Sequence, residues 1–387
     1  MGARWHNSPS MHKVIHSASI KKALAARGWT QDQLAVAVGE SAQVVSNWLQ
    51  GKNFPRPAKL LKLATTLQLG FDQLVLPDAD QPVIAFRKKG GAKTTDEHIL
   101  KAMAMAALLK PLVAHLPERR ALHTSLPNPT TDYVPLQSAV TQVRQKLGIG
   151  LVSVLRYEHL INEFRDNDAV LVPVLWGEKL NHKNALHILL PSEKVTFVYL
   201  NLDTHQEDFK FWMAHELAHV YTPELAGKDE GENFADAFAG ALLFPQACAE
   251  GTYAKVRQAR GATAMIQALL DAAHEHVISL NTVFLQVQAY AEAKGLKPLP
   301  LEVRQIHSVR NNVRDGLVSA ALFAPAPPDA TELIKATSNV FRSDFFISMR
   351  QLLNENGTGA GYLQQVLDVG LQDATALRSA LVGEPAR

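Results

Sequence analysis

Two histidines one helical turn apart carry the strongest chemical signal in this sequence. They are His215 and His219, in the run His215-Glu216-Leu217-Ala218-His219. Side chains at positions i and i+4 lie on one face of an α-helix, so both imidazoles can reach a single metal ion. Glu216 is then placed to take a proton from a water molecule that attacks beside the metal. The spacing indicates hydrolytic metal chemistry.

A second, acidic segment supplies the remainder of a metal site. Glu232 offers a third ligand, and Asp236 lies one turn further along the same helical face. Three protein ligands with an open fourth position are typical of catalytic zinc, whereas structural sites are closed by four. Asp236 is expected to bond to one histidine and fix its tautomer. The alternative is a pair of exposed histidines beside a solvated acidic face, which the order of the two helices disfavours.

These residues need two helices and a sheet to position them. The capping-box spacing of Thr204 and Glu207 predicts that the first helix begins there. Pro245 is expected to end the second helix. The strand-like stretches that precede the first helix are 169–175, 185–190 and 195–201. The last of them is interpreted as an edge strand that pairs with an extended peptide substrate.

The segment from Phe211 to Pro245 resembles the ImmA/IrrE family of metalloendopeptidases, and the likeness extends over roughly residues 136–300. The residues that carry it are Phe211, Ala214, His215, Glu216, Leu217, Ala218, His219, Glu232, Ala235, Asp236, Phe238, Ala239, Leu242, Leu243 and Pro245. The resemblance implies a gluzincin-type Zn²⁺ site with His215, His219 and Glu232 as ligands. It also implies Glu216 as general base, and a helix-turn-helix repressor as substrate. Many members have glycine at the position of Ala218 and an acidic residue at that of Phe234.

Other side chains around this segment have less specific patterns. Tyr221 is close enough in sequence to stabilise an oxyanion, although nothing assigns it that role. His182, His187 and His205 lack a partner at ligand spacing, so they are interpreted as surface or core histidines. Cys248 is the one cysteine, which excludes intrachain disulfides and zinc sites built from several thiolates.

The N-terminal residues predict a small helical bundle. Gly28 is expected to end a first helix, Thr30 to cap a second over Gln31–Val38, and Ser41 to cap a third over 42–50. Two short helices joined by a tight turn with glycine form a helix-turn-helix. Residues 11–75 carry eight basic and three acidic side chains, a net charge of +5, in a chain whose overall charge is +2. This local surplus favours a nucleic-acid partner.

The same stretch resembles the Xre/Cro–repressor helix-turn-helix family over about sixty residues. The residues that carry the likeness are Thr30, Gln31, Leu34, Ala35, Gly39, Ser41, Val45, Trp48, Gly51, Lys52 and Pro57. The resemblance implies double-stranded DNA as a partner, with contacts from Gln31, Ser41, Ala42, Gln43, Asn47, Lys52 and Arg56. Gln43 and Asn47 have the amide groups that pair bidentately with adenine. The alternative is that this N-terminal bundle binds protein instead of DNA.

Polar breaks that contain proline divide the remaining chain. The predicted domains are a helix-turn-helix at 11–76, a linker with a long helix at 77–135, a metalloprotease domain at 136–300 and a helical region of unknown role at 301–387. A chain of 387 residues is long enough for two or three domains. The apolar surface of the long helix, 96–116, fits packing against another subunit or against its own chain.

The expected fold class is mainly α with a small β-sheet (α+β), made of a helix-turn-helix bundle, a gluzincin-like domain and a helical C-terminal part. No signal-peptide pattern and no run of eighteen apolar residues is present, which predicts a cytoplasmic protein with no membrane partner. The leading interpretation is a DNA-binding regulator, acting as a homodimer, whose zinc endopeptidase domain cleaves a repressor, an antitoxin or the chain itself. The alternative is a transcription factor whose protease-like domain only senses a metal or ligand.

Overall fold

The chain folds into two compact units, which divide between Gln81 and Pro82. The computed structural model describes residues 14–76, 81–88, 96–118, 124–177, 183–312 and 315–383. Most of these residues are helical and a small mixed sheet accompanies them, which confirms the prediction of a mainly α protein with a small β-sheet. None of the described helices combines the length and the apolar character that crossing a bilayer requires.

The first unit is a bundle of short helices closed by a minimal two-stranded sheet. Its helices are α1 (Ser17–Arg27), α2 (Gln31–Val38), α3 (Ala42–Leu49), α4 (Pro57–Leu67) and α5 (Phe71–Leu74). The strands β1 (Val14–Ile15) and β2 (Val75–Leu76) pair antiparallel, so the residues before α1 lie beside those after α5.

Local capping chemistry sets the helix boundaries of the first unit. The Thr30 hydroxyl accepts a bond from the Gln33 backbone N–H, and the Gln33 side chain accepts one from the Thr30 backbone N–H. Ser41 caps α3 by accepting from Val44. Gly39 has φ of +70°, the left-handed conformation that the tight turn between α2 and α3 requires. The buried core consists of Ile15, Ile20, Ala23, Leu24, Leu34, Ala35, Val38, Val45, Trp48, Leu63, Leu67 and Leu74.

The second unit is built on a four-stranded sheet. Its strands are β3 (Val83–Lys88), β4 (Ala169–Val174), β5 (Lys183–Leu190) and β6 (Val195–Asn201), in the order β3-β5-β6-β4. The β3–β5 and β5–β6 pairs are antiparallel, and the β4–β6 pair is parallel. The interpretation of 195–201 as an edge strand is therefore wrong, because β6 is paired on both sides.

Helices cover both faces of this sheet. They are α6 (Asp96–Leu109), α7 (Tyr133–Lys146), α8 (Tyr157–Asp166), α9 (Gln206–Tyr221), α10 (Asp229–Leu243), α11 (Gln246–Gln258), α12 (Ala262–His276), α13 (Leu280–Ala293), α14 (Val303–Asn312), α15 (Val318–Leu322), α16 (Ala330–Asn339), α17 (Phe345–Asn356), α18 (Ala360–Leu367) and α19 (Leu371–Val382). His187 and Val198 are cross-strand neighbours on the face that meets α9. Tyr199 lies on the opposite face and donates to the Val366 carbonyl of α18.

Backbone hydrogen bonds with residues from the C-terminal part fix the start of α9. The Gln206 N–H donates to the Gly316 carbonyl, and the Val318 N–H donates to the Thr204 carbonyl. The predicted capping box at Thr204 does not form, since α9 begins at Gln206 and the Thr204 hydroxyl has no hydrogen-bond partner among the described atoms. Main-chain pairing with a distant segment replaces the local side-chain cap.

The stretch 77–135 is predicted as a linker with a long helix; the long helix forms as α6, and the described residues 82–88, 96–118 and 124–135 belong to the second unit. Strand β3 extends the sheet, and α6 buries Ala102, Met105 and Leu109 in the core of its own chain. The Leu126 N–H donates to the Tyr221 carbonyl at the end of α9. The helices beyond residue 300 share that core as well, so the regions 136–300 and 301–387 form one structural unit.

Candidate functional site

Helices α9 and α10 place the acidic and histidine side chains together. Apolar residues on the other faces of α9, including Phe209, Met213 and Leu217, are buried in the core and fix the helix over the sheet. Helix α10 can approach closely because position 231 is glycine. A Cβ on Gly231 would lie 2.1 Å from the Leu225 carbonyl oxygen, so a larger residue there would push α10 away.

Three side chains that could bind a metal ion meet between these helices. Nε2 of His215 lies 3.2 Å from Nε2 of His219. Glu232 places one carboxylate oxygen 3.4 Å from the first nitrogen and the other 3.2 Å from the second. Ligand atoms about 2.0–2.2 Å from a tetrahedral zinc ion are separated by about 3.3–3.6 Å. The observed separations fit a zinc site, and both histidines are only 1% exposed.

Asp236 orients the first of these histidines. Its Oδ1 lies 2.9 Å from Nδ1 of His215. A carboxylate only accepts, so Nδ1 carries a proton and Nε2 is the nitrogen directed at Glu232 and His219. Burial lowers the pKa of His215, but the bonds with Asp236 and Glu232 outweigh it and raise that pKa to about 9. Burial raises the pKa of Glu232, yet the two histidines bring it well below its usual range.

Glu216 lies behind the ligand cluster and is 1% exposed. Its Oε2 is 3.3 Å from Nδ1 of His187 on β5. Burial alone would raise the pKa of Glu216, but the neighbouring imidazoles of His187, His215 and His219 lower it overall. The carboxylate is thus held in the ionised form that can accept a proton.

The sequence pattern around His187 predicts an ordinary surface or core histidine. It is a core residue, 1% exposed, and it also contacts the candidate site, with its ring centroid 5.5 Å from that of His219. Burial lowers its pKa, which favours the neutral ring. One feature of the sequence could have indicated that His187 belongs to the site: it is a polar residue at an inward position of a strand whose other residues are mainly apolar.

Tyr221 and His205 lie away from the three side chains of the cluster. Tyr221 is fully buried against Phe238, and burial beside Glu163 raises its pKa far above the usual value, so it does not face the ligand atoms. His205 precedes α9 and bonds to the Asp315 carbonyl. His182 lies outside the described residues.

Lys210 anchors the buried side of α9. It is 2% exposed, its Nζ donates to the carbonyl of His276 at 2.6 Å, and it lies 5.7 Å from the centroid of the Tyr157 ring. Burial, followed by the charge of Arg144, lowers its pKa from 10.5 to about 8. The folded chain therefore releases this proton before the unfolded chain does.

This release predicts a pH dependence of stability. Between pH 8 and 10.5 the unfolded state binds more protons at Lys210, so the free energy of unfolding rises with pH, by roughly 3 kcal/mol in total. Denaturant titrations of the wild type and Lys210→Met at pH 7, 8, 9 and 10 measure it. The difference in the free energy of unfolding between the wild type and Lys210→Met should change by about 2–3 kcal/mol from pH 7 to pH 10. A Lys255→Met control on the exposed face of α11 should leave the pH profile of the wild type intact, and an unchanged profile in Lys210→Met would refute the assignment.

Most of the residues predicted to contact DNA are exposed on α2, on α3 and in the segment after α3. Gln31, Ser41, Ala42 and Gln43 are exposed, as are Lys52 and Arg56. Asn47 is half-buried, and its Oδ1 accepts a bond from the Gln43 amide at 3.0 Å. Ser41 also caps α3, so its hydroxyl is already engaged with the backbone.

Comparison with known protein families matches residues 20–74 to the helix-turn-helix family. This matched region spans α1 to α5, with the two capped helices and the Gly39 turn at its centre. Residues 20–74 form a helix-turn-helix domain. The chain therefore carries the DNA-binding domain of a transcriptional regulator. No curated protein matches the chain.

Within the helix-turn-helix domain, α3 occupies the position of the recognition helix. Gln43 and Asn47 lie one turn apart on this helix, and their side chains are bonded to each other. Lys52 and Arg56 follow α3 and are exposed.

Proposed function

We propose that the second unit is a zinc-dependent endopeptidase and that the whole chain is a DNA-binding regulator that uses it. The observation that carries the proposal is the convergence of His215, His219 and Glu232 at 3.2–3.4 Å, with Asp236 behind one histidine. Three ligands leave one position of a tetrahedral site for chemistry. When bound, zinc would supply Lewis-acid polarisation of the scissile carbonyl.

The chain's own residues would perform the proton transfers. Glu216 would accept a proton from the attacking water and later return it to the leaving amine, the role of a general base that becomes a general acid. His215 and His219 would hold the metal through Nε2, and Asp236 would retain the proton on Nδ1 of His215. His215 would release its other proton when the metal binds.

The proposed substrate is a protein of gene control. The helix-turn-helix domain would place the peptidase at operators, where a repressor or antitoxin is concentrated, and a homodimer would match a two-fold operator. A further proposed cleavage site is the segment of this chain that joins its two units. The boundary between the units is at Gln81 and Pro82, whereas the stretch from Thr124 is tied to Asn167 and Tyr221 by hydrogen bonds. Cleavage in cis would therefore fall near 77–82.

Digestion of a proteome-derived peptide library tests the peptidase proposal. Zinc-loaded protein should produce defined new termini detectable by mass spectrometry, and chelation of the zinc should abolish them. The same incubation reports cis cleavage as a fragment of about 80 residues. A zinc-saturated sample that cleaves neither the library nor itself would reject the proposal.

The near-complete burial of Glu216, His215 and His219 favours a second candidate function, a metal-sensing transcription factor without peptidase activity. In that case zinc would alter operator affinity, and the library digestion would show no cleavage. Operator binding is measured with and without zinc, beside the library digestion. A change in operator affinity without cleavage identifies the sensor, and cleavage identifies the peptidase.

DNA binding itself gives a separate prediction. Replacing Lys52 by Gln removes one phosphate contact, so affinity should fall for all sequences and the slope of log Kd against log salt should decrease by about 1. Replacing Gln43 by Ala should instead cost about 1–3 kcal/mol on an operator selected from random DNA and little on non-specific DNA. Fluorescence anisotropy at several salt concentrations measures both. Lys255→Gln, in the second unit, is the charge-matched control, and equal loss in the control and Lys52→Gln would contradict the assignment.

A further inference from the structure

His187 is a buried polar residue in the interior of the second unit. It lies on β5, paired with Ala85 on one side and Val198 on the other, and its ring faces α9. Neither ring nitrogen makes a hydrogen bond within the geometric limits of a normal one, among the described atoms. Burying an imidazole whose nitrogens make no hydrogen bond of normal geometry costs free energy that an apolar side chain would avoid. The residue therefore calls for a role besides packing.

The groups that face this imidazole are polar and buried as well. Oε2 of Glu216 is 3.3 Å from Nδ1, and it too lacks a hydrogen bond of normal geometry. The His219 ring is the next neighbour, with its centroid 5.5 Å away. The Glu216 carboxylate thus has one oxygen enclosed on the His187 side, and a small rotation of either side chain would complete a bond between them.

We propose that His187 is a positioning residue for Glu216, in which Nδ1–H donates to Oε2 and fixes the orientation of the carboxylate. The inference rests on the proposed endopeptidase function. With Oε2 engaged, Oε1 is the oxygen left to accept a proton. A glutamate side chain has several rotamers, and holding it in one removes an entropic part of the barrier.

The proton balance of the step follows directly. The attacking water forms its bond to the scissile carbonyl carbon and gives a proton to Oε1 of Glu216. The carbon–nitrogen bond breaks, and the same proton passes from Oε1 to the leaving amine. His187 keeps its own proton on Nδ1 throughout, so it neither gains nor loses charge and does not touch the substrate.

Two amide substitutions separate donation by Nδ1 from general packing. The Asn side-chain amide lies near the position of Nδ1, whereas the longer Gln amide lies near Nε2. His187→Asn should therefore retain cleavage within a few-fold of the wild type, and His187→Gln and His187→Leu should lower kcat by about 10–100-fold. KM and zinc affinity should stay within two-fold, measured with a peptide cleaved by the wild type and with a chromophoric zinc chelator. Equal activity in the Asn and Leu variants, or a change confined to KM, would overturn the proposal.

A double-mutant cycle based on Tm tests the contact between His187 and Glu216 and does not depend on peptidase activity. His187→Leu and Glu216→Leu should each lower Tm, because each leaves the other polar group buried and unpaired. The double variant should be more stable than the sum of the two losses predicts, since both polar groups are gone. Additive losses would overturn the contact. If the wild type cleaves no peptide while the cycle is non-additive, the endopeptidase proposal fails and the His187–Glu216 contact stands.

Discussion

Replacing Glu216 by Gln is expected to abolish peptide cleavage while zinc and operator binding persist. The amide has nearly the shape of the carboxylate but cannot accept a proton at neutral pH, so the rate should fall by roughly 10²–10⁴-fold. Neither His215, His219 nor Glu232 is altered, and the helix-turn-helix domain is a separate compact unit. The measurements are library digestion, zinc titration and anisotropy on the selected operator.

A matched control strengthens this prediction. Glu224 is an exposed acid in the turn between α9 and α10, so Glu224→Gln changes the same chemical group without entering the site. It should cleave at the rate of the wild type. If Glu216→Gln also cleaves normally, another residue is the base and the role assigned to Glu216 is wrong.

Replacing Asp236 by Asn should weaken zinc binding by about 10–100-fold, because Asn bonds less strongly to Nδ1 of His215 and leaves its tautomer unfixed. Zinc at 1,000 times its Kd should raise the free energy of unfolding of the wild type by about 4 kcal/mol. The variant at the same zinc concentration should lose about 1–3 kcal/mol of that gain, which is the same change in affinity expressed as a free energy.

The control for this effect is Asp229→Asn on the exposed first turn of the same helix. It removes one negative charge from α10 without approaching the imidazoles, and its stability gain with zinc should equal that of the wild type. The metal-free forms of both variants provide the baseline. A zinc-induced gain in Asp236→Asn as large as that in the control would show that Asp236 does not support the metal site.

Features encoded by residues close in sequence were predictable. Thr30, Ser41 and Gly39 set helix ends through bonds that span a few residues, and these boundaries agree with the prediction within one or two residues. The i, i+4 spacing likewise determines that His215 and His219 share a face. Local geometry alone carries this information.

Features that depend on distant pairing were not predictable. The order of strands placed β6 between β5 and β4, which no property of 195–201 itself reveals. His187 meets Glu216 only because β5 runs beneath α9, although the two residues are 29 positions apart. The start of α9 depends on a segment more than a hundred residues downstream, so a capping pattern at Thr204 pointed to the wrong residue. Long-range contacts overrode local propensity in each case.

The pairing of 202–206 with 315–319 has a practical consequence for dissecting this protein. A chain shortened at residue 300, where the sequence suggested a domain end, would lose the partners of the Gln206 N–H and of the Thr204 and Leu202 carbonyls. It would also expose the apolar surface that α15 to α19 cover. A fragment that keeps these supporting contacts around the histidine cluster therefore has to include the second unit from Pro82 through the C-terminal helices. Mutations far along the C-terminal helices should therefore be interpreted as changes to the scaffold that holds the histidine cluster.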